Sequence, residues 1–202
     1  MTTVGLVLAA GAGRRLGAPK ALVRLASGGP TLVETAVDRV RAAGCDRVVV
    51  VVGAAGDEVA ASLSHKAVDL VTAADWDEGM GASLRAGLAH LEPGNDDLAL
   101  VTLVDLPDVT AQVAARVLEA AAAEGPAALV RATYGGVPGH PVALGREHWA
   151  AVLDTATGDR GARDHLRVTP HRLVECGDLA SGLDLDTAGD LDEARRRHGE
   201  RG

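Results

Sequence analysis

The chain has 202 residues and a formal net charge of −8, from 28 acidic against 20 basic side chains, so it lacks the basic face that sequence-independent duplex binding needs to displace counterions. Its two cysteines, Cys45 and Cys176, show no CxxC spacing, which excludes a disulfide scaffold and a cysteine-based zinc cluster. With no Phe, one Tyr and two Trp, the core is filled mostly by Ala, Val and Leu, and the length fits a single domain over residues 1–202.

The first hydrophobic run, residues 4–9, reads as a strand with no basic region or signal-length apolar stretch ahead of it. The later VVVVVG run is too short to span a bilayer, so the expectation is a cytoplasmic protein without membrane association. Further strands follow at Arg47–Val52, residues 68–71 and Leu98–Leu103, rich in Val and Leu and bounded by Gly or Asp turns. Helical spacing fills the intervals. Thr31 and Glu34 form a capping-box pair that leads into Val33, Val37 and Val40 on one face. Met80, Leu84, Leu88 and Leu91 repeat the spacing after the third strand, and Val113, Val117 and Ala121 after the fourth. This βαβ alternation predicts an α/β fold with helices covering a mostly parallel sheet.

Beyond residue 125 the rhythm loosens. Residues 127–132 read as a strand, 142–144 as a short one and 147–153 as a short helix. Thr187 with Asp190 three residues on signals a last helix, whose basic end, Arg195 to His198, suits a helix C-terminus.

The stretch LVLAAGAGRRLGAPK, residues 6–20, runs a strand into a loop of small residues. A parallel strand delivers the chain to its carboxyl end, where α/β proteins bind ligands. There Ala9, Ala10, Gly11, Ala12 and Gly13 let backbone N–H groups approach a phosphate, and Arg15 and Lys20 add positive charge. The loop is neither standard phosphate motif. Lys20 does not follow Gly17 directly, as GxxxxGK requires; the glycines fall as GxGxxxG rather than GxGxxG, and Pro19 would end a fingerprint helix. It is a phosphate loop of a third sort.

A second element, LALVTLVDLPDVT at residues 98–110, ends a strand on Asp105, well placed to hold Mg²⁺ beside a triphosphate; Asp108 and Thr110 are better placed to cap the next helix.

The run from Leu8 through Gly11, Gly13, Arg15 and Gly17 to Lys20 resembles the signature of the molybdenum-cofactor nucleotidyltransferases, and more widely of the sugar-nucleotide pyrophosphorylase fold. The resemblance implies a three-layer, Rossmann-like nucleotidyltransferase domain in which the loop, here Leu8 to Gly13, wraps a nucleoside triphosphate. Arg15 and Lys20 would contact its phosphates, and the backbone at Ala9 and Ala10 would help to recognise the base. Asp105, before Leu106 and Pro107, matches the family's magnesium ligand. A second metal ligand is expected from LDLDTAGDL, residues 183–191, with Asp186 preferred and Asp184 two residues away. Catalytic roles accordingly fall on Arg15, Lys20 and Asp105, with Mg²⁺ as cofactor.

Gly79, Met80 and Ser83 lie in a GMxxSLRxG stretch similar to one that lines the family's nucleotide pocket. The segment YGGVPGHPVAL, residues 134–144, reads as an irregular loop, and its GHP element resembles the cytidylyltransferase branch, where the region faces the acceptor. His140 is thus a candidate acceptor contact, as is Arg163 in GDRGARDHL, where Asp159 could pair with a neighbour or approach the metal. The resemblance implies transfer of CMP from CTP to the terminal phosphate of molybdopterin cofactor, with release of diphosphate. Its partners would be CTP, a phosphorylated pterin, and a molybdoenzyme or chaperone docked on the surface. The alternatives are guanylyl or other nucleotidyl transfer to a different phosphorylated metabolite, against which LAAG rather than LAGG tilts the reading, NAD(P)H-dependent oxidoreduction on the same scaffold, and a noncatalytic cofactor-binding role.

Overall fold

The structure, a computed structural model, describes residues 1–199. Seven strands form one sheet: β1 (Thr3–Leu8), β2 (Arg47–Val52), β3 (Asp69–Thr72), β4 (Leu98–Leu103), β5 (Leu129–Tyr134), β6 (Val137–Gly145) and β7 (Arg172–Glu175), in the order β3-β2-β1-β4-β6-β5-β7. All neighbours run parallel except β6, which is antiparallel to both β4 and β5.

The described residues form seven α-helices: α1 (Leu32–Ala42), α2 (Gly56–Ser62), α3 (Met80–Leu91), α4 (Ala111–Ala121), α5 (Trp149–Thr155) and α6 (Arg163–Val168), which cover the two faces, and α7 (Ala188–Gly199), which has no buried residue. On one face Val37 and Val40 of α1, Val59 of α2 and Val113 of α4 pack on Val7, Val48 and Val50. On the other, Leu84 and Leu88 of α3, Val152 of α5 and Leu166 of α6 pack on Leu6, Val49 and Val51. Because successive strand residues point to opposite faces and both faces are covered, the valines of β2 read as one unbroken apolar run. The Thr31–Glu34 capping box opens α1 as its sequence predicts: the Thr31 hydroxyl accepts from the Glu34 N–H, and the Thr31 N–H donates to Glu34 Oε2 at 2.7 Å. Cys45 and Cys176 are buried, unlinked thiols. No helix among the described residues is long and apolar enough to cross a membrane.

From β1 the chain leaves to one side for β2 and reaches β4 on the other, so the order reverses between β1 and β4. A crevice opens at such a point beyond the carboxyl ends of the strands. Leu8 and Leu103, the last residues of β1 and β4, are register partners. The loops that follow them are therefore neighbours, although their sequences lie far apart.

The main departure from the sequence reading is β6. The short strand expected at 142–144 is the end of a nine-residue one, and residues 135–141, expected as an irregular loop, form a tight hairpin turn and the start of that strand. The pairing of β5 with β6 shifts between Arg131 and Thr133, a bulge that takes Gly139, His140 and Pro141 out of the regular ladder. Pro141 thus sits where its missing N–H breaks no rung, which is how a proline enters an interior strand. Two short elements, α2 and β7, carry too little periodicity to be read from sequence, while Gly158 and Gly161 signal the entry to α6.

Candidate functional site

The crevice holds a cavity of about 550 Å³ built from five separated stretches of chain. The first loop contributes Leu8, Ala10, Gly11, Gly13, Arg15 and Lys20 to its wall. Gly79, Met80 and Ser83 come from the start of α3, Asp105 from the turn after β4, Asp159 and Arg163 from the stretch leading into α6, and Asp184 and Asp186 from the segment before α7.

Two of the sequence candidates stand outside it. The N–H of Ala9 donates to Val51 O at 2.8 Å, extending the sheet by one rung, so Ala9 is buried and does not line the cavity. His140 sits in the β6 bulge and lines a separate small chamber. Two residues missed by motif reading enter instead. Trp76, in the 3-10 turn Trp76–Glu78, lines the main cavity; the one signal available was that it is one of two tryptophans in a chain almost without aromatics. Arg131, on β5, lines the small chamber, and a single arginine in a strand pattern gives no sequence signal.

The first loop closes on itself. Leu16 and Gly17 both donate their N–H groups to Gly13 O, at 3.0 and 2.9 Å. Gly13 has φ +62°, and a Cβ there would lie 1.9 Å from Ala18 O, so only glycine fits. No helix follows the loop directly; Pro19 precedes the 3-10 turn Lys20–Leu22, its carbonyl accepting from Leu22 N. That turn presents Lys20 to the cavity. Among the described residues, no protein acceptor meets the N–H groups of Gly11, Ala12 and Gly13, which leaves donors at the wall.

Lys20 Nζ lies 2.7 Å from Asp105 Oδ2 and 2.6 Å from Asp186 Oδ1, one ammonium shared by two carboxylates 81 residues apart in sequence. Arg15 reaches the other oxygen of Asp186 at 3.0 Å. The C-terminal segment is drawn here by Leu185 N, which donates to Asp105 O at 2.9 Å. Arg39 of α1 steadies the Asp105 turn from behind, donating to Leu106 O and Pro107 O. Of the two residues expected at the start of α4, Thr110 does stand at its N-cap, though its hydroxyl makes no cap bond, whereas Asp108 accepts instead from Ser181 N and Oγ.

Side-chain exposures of 17% for Lys20 and 16% for Asp105 keep this pair largely out of water. Burial disfavours the Lys20 charge, yet Asp105 and Asp186 outweigh it and raise the pKa of the ammonium. The hydrogen bond from Lys20 lowers the pKa of Asp186, aided by the Arg15 charge. Burial, then repulsion from Asp105 and Asp186, raises that of Asp184. Asp105 Oδ1 is buried and, among the described residues, has no hydrogen-bond partner. An orphaned carboxylate oxygen is the kind of donor that a hard divalent ion such as Mg²⁺ could use, and Asp105 and Asp186 are the residues that would hold one.

Residues 5–175 match the family model described as the MobA-like NTP transferase domain. Nicotine blue oxidoreductase of Paenarthrobacter nicotinovorans is 38% identical over 193 residues, with 91% of each chain covered. Among solved structures, Rv0371c of Mycobacterium tuberculosis H37Rv aligns with a TM-score of 0.82 and 28% identity, covering 97% of this chain and 98% of that one. A structure of Rv0371c in complex with manganese aligns with a TM-score of 0.77 and 26% identity, covering 97% and 99%.

Proposed function

Because the chain belongs to the MobA-like NTP transferase family, we propose that it transfers a nucleotidyl group from a nucleoside triphosphate to the terminal phosphate of a small phosphorylated acceptor, releasing diphosphate. The observation that carries this reading is the Lys20 ammonium held between Asp105 and Asp186 beside a loop of free N–H groups. The narrower version, CTP as donor and molybdopterin cofactor as acceptor in the cytoplasm, rests on the LAAG run at Leu8–Gly11 and the GHP element at His140.

In this reading the N–H groups of Gly11 to Gly13 cradle the triphosphate, while Arg15 and Lys20 turn from the carboxylates to its oxygens. A divalent ion held by Asp105 and Asp186 would supply charge neutralisation for the reacting phosphates; the manganese in the Rv0371c structure supports such an ion. The acceptor phosphate attacks the α-phosphorus as the bond to the β-phosphate oxygen breaks. That phosphate is already ionised, so no general base is required, and the residues act by alignment and charge.

A second reading is NAD(P)H-dependent oxidoreduction, favoured by the 38% identity to nicotine blue oxidoreductase. It leaves the Lys20–Asp105–Asp186 arrangement without a task. Crossing the four nucleoside triphosphates with molybdopterin cofactor and other phosphorylated acceptors, while recording diphosphate release, tests the first reading. Oxidation of NAD(P)H by a dye-like acceptor, with no diphosphate from any pair, would establish the second.

A further inference from the structure

The last helix, α7, has twelve residues and buries none of them. Nucleating a helix is costly, and packing of one apolar face normally offsets that cost, so a helix of this length without such a face depends on its local bonds. Its first two residues, Ala188 and Gly189, bring no hydrogen-bonding side chain, and glycine is a poor helix former. Beneath it, Ala194 and Arg197 share a cavity of about 120 Å³ with Leu25, Pro107 and Leu185 of the body. Beyond the first turn, and among the described residues, its one hydrogen bond to the body runs from Arg195 to Arg24 O at 3.3 Å.

What holds α7 is its start. The Thr187 hydroxyl accepts from Asp190 N at 3.3 Å, and Thr187 N donates to Asp190 Oδ2 at 2.7 Å, the reciprocal bonds of a capping box. The same Oδ2 reaches one residue further back and accepts from Asp186 N at 3.1 Å, while the Thr187 hydroxyl donates to it at 2.8 Å. On the other side of Asp186, Leu185 is buried and its N–H is bonded to Asp105 O. Consecutive peptide groups are thus gripped from two directions, by the Asp105 turn at Leu185 and by Asp190 at Asp186. Between those grips the Asp186 carboxylate meets Lys20 and Arg15. Asp190 itself lines the cavity beneath α7 and not the main one, so it acts on the site only through Asp186.

We propose that Asp190 is a positioning residue: by accepting from the Asp186 N–H it aims the Asp186 carboxylate at the space beside Asp105, and the affinity of the site for a divalent ion depends on that bond. This rests on the nucleotidyl-transfer reading, in which Asp105 and Asp186 hold such an ion. Groups that orient a metal-holding carboxylate from behind set its affinity without touching the metal. The cap thereby gives a helix that buries nothing a task at the site.

The test measures Mn²⁺ affinity of the full chain by water proton relaxation, together with amide hydrogen exchange at Asp186 before metal is added. Asp190→Ala should speed exchange of the Asp186 N–H and weaken Mn²⁺ binding about tenfold or more, as loss of a charged hydrogen bond does. Asp190→Asn keeps an acceptor in place and should stay within about threefold of the wild type. Glu193→Ala removes the ion pairs to Arg196 and Arg197, weakening the helix without touching its cap, and should leave Mn²⁺ affinity unchanged. A folded Asp190→Ala protein that binds Mn²⁺ like the wild type overturns the role. So does equal weakening by Glu193→Ala, which would make α7 as a whole the cause, or an Asp190→Asn protein as weak as Asp190→Ala, which would make the charge the cause. With an active substrate pair in hand, Asp190→Ala should raise the Mg²⁺ concentration needed for half-maximal rate and leave kcat at saturating Mg²⁺ near that of the wild type; a lowered kcat with an unchanged Mg²⁺ requirement overturns the assignment. Absence of diphosphate release alongside the expected Mn²⁺ affinities would sink the nucleotidyl reading and leave the placement of Asp186 standing.

Discussion

Gly11 and Gly13 stand two residues apart in one loop, yet an alanine at each asks a different question. A Cβ at Gly11 meets nothing within 4 Å, whereas one at Gly13 would strike Ala18 O from a backbone at φ +62°. Gly13→Ala should therefore destabilise the fold by about 1–3 kcal/mol, read as a lower urea midpoint. Gly11→Ala should hold stability to within about 0.5 kcal/mol and raise the KM of the triphosphate, because its methyl enters the ligand's space. The motif made both glycines legible and hid this division, which depends on how the loop folds back. Lys20 and Asp105 were legible for a simpler reason: each is a charge in the connection that follows an apolar strand, Asp105 directly and Lys20 at the end of the glycine-rich loop. The approach of Asp186 to Asp105 was expected only through the family, as a pair of metal ligands, and Lys20 bridging them was not expected. Lys20→Met should lower kcat/KM by about 100-fold or more, the scale of losing one preorganised donor to a transition state. The same change leaves Asp105 and Asp186 facing each other without their shared cation. Added Mg²⁺ should then raise the melting temperature of the variant by more than that of the wild type, and an equal shift would argue against Asp105 and Asp186 as a metal site.

Among the elements, the β5–β6 hairpin shows what one-dimensional patterns miss. Pro138, Gly139 and Pro141 argue against a strand when read locally, and the fold accepts them through a bulge and a clamp contributed from elsewhere. The clamp is Glu175 at the end of β7, whose carboxylate accepts from Gly135 N at 2.8 Å, Gly136 N at 3.0 Å, Gly177 N at 2.8 Å and the Thr133 hydroxyl at 2.9 Å. No local sequence signal links residue 175 to residues 133–136. The backbone bonds from Gly136, Gly135 and Gly177, with the Thr133 hydroxyl, push the Glu175 pKa from 4.5 down to about 2. A pKa depressed by folding contributes stability that is fully present above the ordinary carboxylate range. It is lost as pH falls from about 4.5 toward 2. Glu175→Gln removes that dependence. Urea unfolding at a series of pH values should find the wild type more stable than the variant at pH 6 and the gap closing through that window; a constant gap would mean the clamp does not act through its charge.

At the scale of the whole molecule, strands β1, β2 and β4 and helices α1 and α3 were legible because buried parallel strands and amphipathic helices write distinct periods. The strand order was not, since it depends on which side of β1 each later strand is added. That order places the loop after β1 beside the turn after β4, and the segment at residues 183–186 then crosses to join them. A cavity assembled from residues 8 to 186 exists only when nearly the whole chain is folded. A ligand that fills it should therefore stabilise the fold globally. At a hundredfold excess over Kd the gain is about 2.7 kcal/mol, or roughly 5–10 °C in melting temperature for a chain of this length. Thermal unfolding with each nucleoside triphosphate, with and without Mg²⁺, set beside NADPH, separates the two readings of the site. Nucleotidyl transfer requires the full shift from a triphosphate, enlarged by the metal, and none from NADPH. A shift from NADPH that ignores Mg²⁺, with the triphosphates inert, would instead align this chain with its oxidoreductase relative, and Lys20 would then be an ordinary partner of two half-buried acids.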